Sequence, residues 1–371
     1  MAAAPGGLTA RVRTRRARLD GSDRAAGIDL ARGIAVIGMF AAHLLDTVPF
    51  AWDDPATWTD AVNGRSSILF ATLAGVSLAL VSGGAHPVAR ERMRVARGRI
   101  AVRAVCVWAI GIALIALDTP VYVILPAYGI LFLLALPLLR LGAPALFAIA
   151  GGVVLVAPFL LWALSSEGGW ATSVGEVLVQ VTGWHYPFVL WIAFVAAGLA
   201  IGRTALDRAS TALSLVLLGT ALALLGYGAL APWRGAVPSE GAWAFALSAD
   251  AHSSGVAEAL GSGGVAMAVI GVCVLVCRTP ARWPLWPLRA VGSMPLTAYA
   301  AQLVAWAVLQ PEPTVLQLGS DLVAFRATDP FWPLTIATLV GCTLWALLVG
   351  RGPLEAGIGW LSRALVPGPI H

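Results

Sequence analysis

Apolar runs of about 20 residues, each long enough to cross a hydrocarbon layer as a helix, follow one another along nearly the whole chain with only short connections between them. They fall at about 27–47, 66–82, 99–117, 120–139, 143–164, 185–202, 210–231, 256–277, 288–309 and 331–350. No remaining stretch is long enough to fold in water by itself. The expectation is therefore one membrane domain over 27–350, flanked by a basic tail over 1–26 and a second tail over 351–371. The fold class that follows is all-α, a polytopic membrane helical bundle of about ten transmembrane helices. Composition agrees, since 59% of the 371 residues are hydrophobic and 12% are charged, about half the charged share of a soluble chain.

Charge sets the expected orientation. All 24 basic residues are Arg, which reads as compositional bias and not as a nucleic-acid surface. The first 26 residues carry Arg11, Arg13, Arg15, Arg16, Arg18 and Arg24 without an apolar run or cleavage site, so they read as a cytosolic tail and not as a signal peptide. An N-terminus in the cytosol puts 20 arginines on that side, leaves Arg65, Arg234 and Arg326 outside, and places Arg32 within the first span. A missed span would scramble this bias, so an even count with both termini cytosolic is expected. Tryptophans follow the same sidedness, with Trp52, Trp58, Trp170, Trp184, Trp233 and Trp332 at the outer edge and Trp283, Trp286 and Trp360 at the inner one. Cys106, Cys273, Cys277 and Cys342 all lie in apolar runs without ligand-spaced neighbours, so they read as small core groups and no metal is expected.

The first span holds four groups that a bilayer should not contain: Asp29, Arg32, His43 and Asp46. At 100° per residue all four fall within one arc of about 100°. Asp29 and Arg32 lie one turn apart at the cytosolic end, where they suit an ion pair or a helix-start acid with a snorkelling Arg. His43 and Asp46 lie one turn apart at the outer end. There an acid at i+3 suits the orientation of a general base, the bland alternative being a histidine bonded to a neighbouring helix.

Asn63-Gly64-Arg65-Ser66-Ser67 is a turn with capping residues that opens the second span. The short loop before it brings Arg65 near His43, either to steady a developing oxyanion or to balance Asp53, Asp54 or Asp60. His185 and His252 each open a later span on the outer side and are candidate substrate contacts, with interfacial or capping roles as the alternative. The run Arg90 to Arg99 is the densest cytosolic charge cluster; it serves topology and lipid contact, or the docking of a phosphorylated cofactor through Arg90, Arg94 and Arg97. In the ninth span Thr297, Tyr299 and Gln302 are buried hydrogen-bonding groups, for substrate or for interhelical contact.

These residues resemble a known family. Ile28-Asp29-Leu30-Ala31-Arg32-Gly33, Asn63-Gly64-Arg65-Ser66-Ser67 with Ala74-Gly75-Val76-Ser77, Tyr186-Pro187 through Gly202-Arg203, and Gly292-Ser293-Met294-Pro295-Leu296-Thr297-Ala298-Tyr299 stand in order along nearly the whole hydrophobic region. The first helix is similar to that of transmembrane acyltransferases. The closer likeness is to bacterial YeiB-like membrane proteins with a heparan-alpha-glucosaminide N-acetyltransferase-like domain. The resemblance implies transfer of an acyl group, commonly acetyl, from cytosolic acetyl-CoA to a sugar or cell-envelope acceptor across a bacterial plasma membrane, with a histidine doing the chemistry. By carry-over His43 matches the first-helix histidine of the sugar O-acylating branch. The lysosomal glucosaminide enzyme has Asn there and its histidine shortly afterwards, whereas this chain has none from Leu44 through Ala85.

The expected function is therefore a membrane-embedded acyltransferase. Its catalytic group is His43 with Asp46 and Arg65. Asp29, Arg32, Arg90, Arg94 and Arg97 face the donor, and His185, His252, Tyr299 and Gln302 face the acceptor. Its partners are the lipid bilayer, acyl-CoA and the acceptor, with no nucleic acid; homodimerisation stays open. The rival expectations are a proton-coupled transporter built on the first-span stripe, which calls for paired broken helices in the two halves, and a non-catalytic scaffold whose first-helix charges line no cavity.

Overall fold

The computed structural model describes residues 25–369 apart from 49, 52, 120, 166–171 and 310–324. The arginine-rich tail from Arg11 to Arg24 and the outer-edge tryptophans Trp52 and Trp170 lie outside the described residues. Among the described residues the chain is helical, with no strand. The helices are α1 (Ala26–Leu44), α2 (Arg65–Val81), α3 (Arg90–Ile115), α4 (Leu125–Ala135), α5 (Ala143–Ser165), α6 (Ser173–Thr182) and α7 (Phe188–Gly202), then α8 (Ala209–Ala223), α9 (Ala242–Ala246), α10 (Val256–Val276), α11 (Trp286–Ser293), α12 (Pro295–Leu309), α13 (Phe331–Leu348) and α14 (Pro353–Leu365).

Seven helices among the described residues are long and apolar enough to cross a membrane, and α11 with α12 makes an eighth if the bent pair is one span. The fourth and sixth expected spans are the shorter apolar helices α4 and α7. The expected ninth span, 288–309, is not one helix: it breaks by 88° between Ser293 and Pro295. Pro295 has no N–H to donate and disfavours helical backbone at Met294, which sits at φ −140° and ψ 53°. The N-terminus of α12 thus opens inside the bundle, where Glu355 of α14 accepts from the Leu296 and Thr297 amides at 2.8 and 3.1 Å. Residues 353–365, within the expected second tail, therefore carry a helix docked on α3 and α12.

α1 sits at the centre. Of its most apolar window 72% is buried against other helices, compared with 17% for α13, so the helix with the costliest side chains faces protein and not lipid. α1 packs on α2 and α11, and α2 packs on α7 and α10. Both main contacts rest on facing glycines. A Cβ on Gly198 of α7 would collide with the Thr72 carbonyl oxygen of α2, and one on Gly75 with Val195 O of α7. Gly292 of α11 and Gly33 of α1 meet Asp29 O and Leu288 O in the same reciprocal way. Backbones approach this closely only where neither carries a side chain. Trp58, Trp233, Trp283, Trp332 and Trp360 are exposed at the bundle surface, as aromatic anchors require. Trp286 departs from that expectation: at the start of α11 it is 8% exposed, packed into the bundle.

Candidate active site

One face of α2 carries two cavities end to end. Ser66 and Ser67, in its first turn, line a small chamber of about 130 Å³. Phe70, Leu73, Ala74, Ser77, Leu80 and Val81, following at helical spacing on the same face, line a larger one of about 360 Å³. The other walls repeat this order. α1 gives His43 to the small chamber and Arg32 to the large one; the entry to α4 gives Ile124 and then Leu125 and Tyr128; the α11–α12 break gives Tyr299 to the small chamber and Ser293 and Pro295 to the large. In the lining of the large chamber the rings of Phe70 and Tyr128 meet edge to face at 5.6 Å. Tyr128 is 2% exposed and its hydroxyl has no hydrogen-bond partner among the described residues.

The small chamber is polar. His43 comes from the last turn of α1, its backbone oxygen accepting from Arg326 Nε at 2.8 Å and its ring set against Trp306 at 5.9 Å. The ring makes no hydrogen bond among the described residues and keeps surface open to the chamber. His252, Tyr186, Tyr299, Asn63 and Ser66 share the lining. His252 is placed by Glu258, a buried acid at the third position of α10, which accepts from the His252 and Ser254 amides at 2.6 and 2.7 Å. Both residues have positive φ, 64° and 60°, a backbone that L side chains rarely adopt and that these hydrogen bonds hold. The His252 ring meets Tyr186 edge-on at 5.8 Å, and desolvation in that corner holds the imidazole below its ordinary value near 6.5. Gly64, at φ 68°, makes the turn that brings Asn63 and Ser66 to the chamber.

The large chamber is mostly apolar, with two cations and the Glu355 carboxylate in its lining. Arg32 reaches it held by Asp29 Oδ1 at 2.9 Å and Ser77 Oγ at 2.8 Å, so Asp29 serves as an anchor and is not itself in the lining. Arg103, from α3, lines the same space and makes no hydrogen bond or ion pair among the described residues; the Glu355 carboxylate acts on it at longer range.

Several expected roles move. α1 ends at Leu44 and Leu45 is extended, so Asp46 leaves the helical arc: its carboxylate is 88% exposed and pairs with Arg326 at 3.7 Å, and it does not orient His43. Arg65 turns away from the chamber that its neighbours line. It donates to Asp60 O at 2.8 Å and lies 4.7 Å over the Tyr227 ring, so balance with Asp60 is the reading that holds. His185 stacks on Tyr122 and does not line the chamber; burial and the neighbouring His252 hold its ring below the ordinary value. Gln302 is buried with Nε2 unpartnered but lines neither chamber. Arg90, Arg94 and Arg97 line a separate pocket with Arg140. Arg103, Tyr128 and Glu258 take places that sequence reading left empty. Of these only Glu258 had a signal, as an acid inside an apolar run.

A multi-pass membrane bundle with an internal chamber bearing two imidazoles is the class that fold and site define. Residues 24–234 match the family described as Heparan-alpha-glucosaminide N-acetyltransferase, catalytic, over more than half of the chain, and the chain belongs to that family. Residues 204–368 match a second family, described as Protein of unknown function (DUF418). No curated protein matches the chain. The likeness read from the four motifs is thus established, and with it membership in a membrane acetyltransferase family.

Proposed function

We propose that the chain transfers an acetyl group from acetyl-CoA, entering at the arginine-rich end, to a hydroxyl or amine of a sugar or cell-envelope acceptor at the His43 end, across a bacterial plasma membrane. The observation that carries this is the pair of chambers strung along α2, a polar one with His43 and a larger one with Arg32 and Arg103. Arg32 and His43 are 11 residues apart, or about 16 Å of helix, a span suited to an extended pantetheine arm. The large chamber fits such a substrate. Its volume of about 360 Å³ lies in the usual ligand range, its walls are mostly apolar, and Arg103 offers a guanidinium that makes no hydrogen bond or ion pair among the described residues, with the Glu355 carboxylate acting on it at longer range.

The chemistry falls to His43 and its neighbours in the small chamber and to Tyr128 in the large one. His43, neutral and unbonded, takes the proton of the acceptor as its oxygen or nitrogen attacks the thioester carbon. His252 and Tyr299 orient the acceptor. The Tyr128 hydroxyl donates to the carbonyl oxygen as negative charge develops on it, the role that sequence reading gave to Arg65. The carbon–sulfur bond then breaks, and the imidazolium returns its proton to the thiolate. The transporter alternative calls for matched breaks in the two halves, whereas among the described residues one pair of helices is broken.

The test is transfer of label from acetyl-labelled acetyl-CoA to envelope extract by the purified full chain. Wild type should label an acceptor. His43→Ala should lose transfer at least 100-fold while remaining monodisperse and still binding coenzyme A. Full transfer by that variant would overturn the reading.

A further inference from the structure

Outside the two chambers the fold gathers four arginines around one pocket of about 130 Å³: Arg90, Arg94 and Arg97 of α3, and Arg140 from the turn after α4. This is more than a charge run in sequence, because Arg140 arrives from 43 residues beyond Arg97. No carboxylate lines the pocket, and none of the four makes an ion pair or a hydrogen bond among the described residues. Arg97 Nε is buried with no partner among the described residues. Guanidinium groups this close repel one another, and a buried N–H left unpaired costs free energy, so the arrangement gains by taking up an anion with several acceptor oxygens. The planar forks of arginine match a phosphoryl group in particular. The pocket is also distinct from the donor chamber. Arg90, Arg94 and Arg97 share one face of α3, and Arg103 is turned about 120° to 180° away from them.

We infer that Arg90, Arg94, Arg97 and Arg140 form a binding site for a phosphoryl anion, supplied either by the headgroup of an anionic phospholipid or by a soluble phosphate. The site lies at the end of the bundle where arginines concentrate, beside helices that face lipid, so a headgroup reaches it without leaving the bilayer.

The experiment uses the purified full chain in phosphatidylcholine nanodiscs, alone, with phosphatidylglycerol added to the lipid, or with inorganic phosphate in the buffer. Thermal unfolding and native mass spectrometry are the readouts. Phosphatidylglycerol should raise Tm and remain as one bound lipid in wild type. Retention should fall about tenfold in Arg94→Gln/Arg140→Gln and partly in Arg94→Lys/Arg140→Lys, which keeps charge but loses the fork. Arg92→Gln is the control, since Arg92 lies on the opposite face of α3 and does not line the pocket. Protection by inorganic phosphate, lost in the double Gln variant, assigns the site to a soluble phosphate instead of a headgroup. Equal loss in Arg92→Gln, or no difference between wild type and the double Gln variant with either probe, would overturn the site. Equal Tm of all variants in phosphatidylcholine alone shows that folding is not the cause.

Discussion

A buried hydroxyl without a partner is costly unless something occupies it during function, and Tyr128, in the lining of the large chamber, has none among the described residues. Tyr128→Phe removes the oxygen and keeps the ring against Phe70. Stability should be unchanged or higher by up to ~1 kcal/mol, since an unsatisfied polar atom is deleted. Acetyl transfer should fall about 100-fold with donor affinity unchanged, the usual loss when one oxyanion donor goes. A variant with wild-type kcat would remove Tyr128 from the mechanism. His252 gives a pH signature. Its folded value lies below the ordinary 6.5, so the unfolded state binds the proton more tightly. The contribution is complete above about 6.5 and is lost as pH falls through the lowered folded value. Tm should therefore drop more between pH 7 and pH 5 in wild type than in His252→Gln, and equal drops would show that the ring is not desolvated. His43 was legible in the sequence because a lone imidazole in an apolar run has no cheap explanation. Asp46 and Arg65 were misplaced because angular arithmetic assumes a helix that continues, whereas α1 stops at Leu44 and Gly64 resets the chain before Arg65. Arg103 and Tyr128 were not legible at all. One resembles topology charge and the other resembles core until α2 and α4 are seen to leave a cavity between them.

At the scale of elements the motifs that carried the family likeness prove to be contact glycines. Gly33, Gly75, Gly198 and Gly292 mark where α1 meets α11 and where α2 meets α7. The α2–α7 contact also holds the chamber-lining face of α2 in place. Gly198→Ala gains about 1 kcal/mol of helix propensity, yet its Cβ would strike the backbone oxygen of Thr72, which cannot rotate away. Overpacking of ~1–3 kcal/mol or more should win, with a lower Tm in detergent. Gly341→Ala in α13 has nothing within 4 Å of its new Cβ and should be neutral or mildly stabilising. If both substitutions shift Tm alike, propensity and not packing governs these sites. The apolar runs placed the long helices because length and hydropathy are local properties. The break between α11 and α12 was less legible, since a proline inside an apolar run also suits a kinked continuous helix. What decides here is the Glu355 carboxylate, 60 residues further on, ready to cap the freed amides of α12.

For the whole molecule the question is which compartment each chamber serves. The arginine-rich end holds Arg103, the four-arginine pocket and α14, whereas the His43 end holds Asp46, Asp53, Asp54 and Asp60. Positive residues stay on the side of synthesis, so on the proposed function this asymmetry predicts that the large chamber faces the cytosol, where acetyl-CoA is made, and that His43 faces the far side. The proposed transfer, which begins on one side and ends on the other, needs this polarity. Two measurements on the same membranes check it. Arg94→Cys should react with an impermeant maleimide only in inverted vesicles, and Asp53→Cys only in spheroplasts. The native cysteines contribute little background, three being buried and Cys106 half-buried. Acetyl-CoA, which does not cross a bilayer, should then support transfer when added to inverted vesicles and fail when added to spheroplasts. Labelling of both positions from one side would show that the chain crosses the membrane an even number of times between them. Transfer from the wrong side with labelling as expected would instead show that the large chamber does not admit the donor.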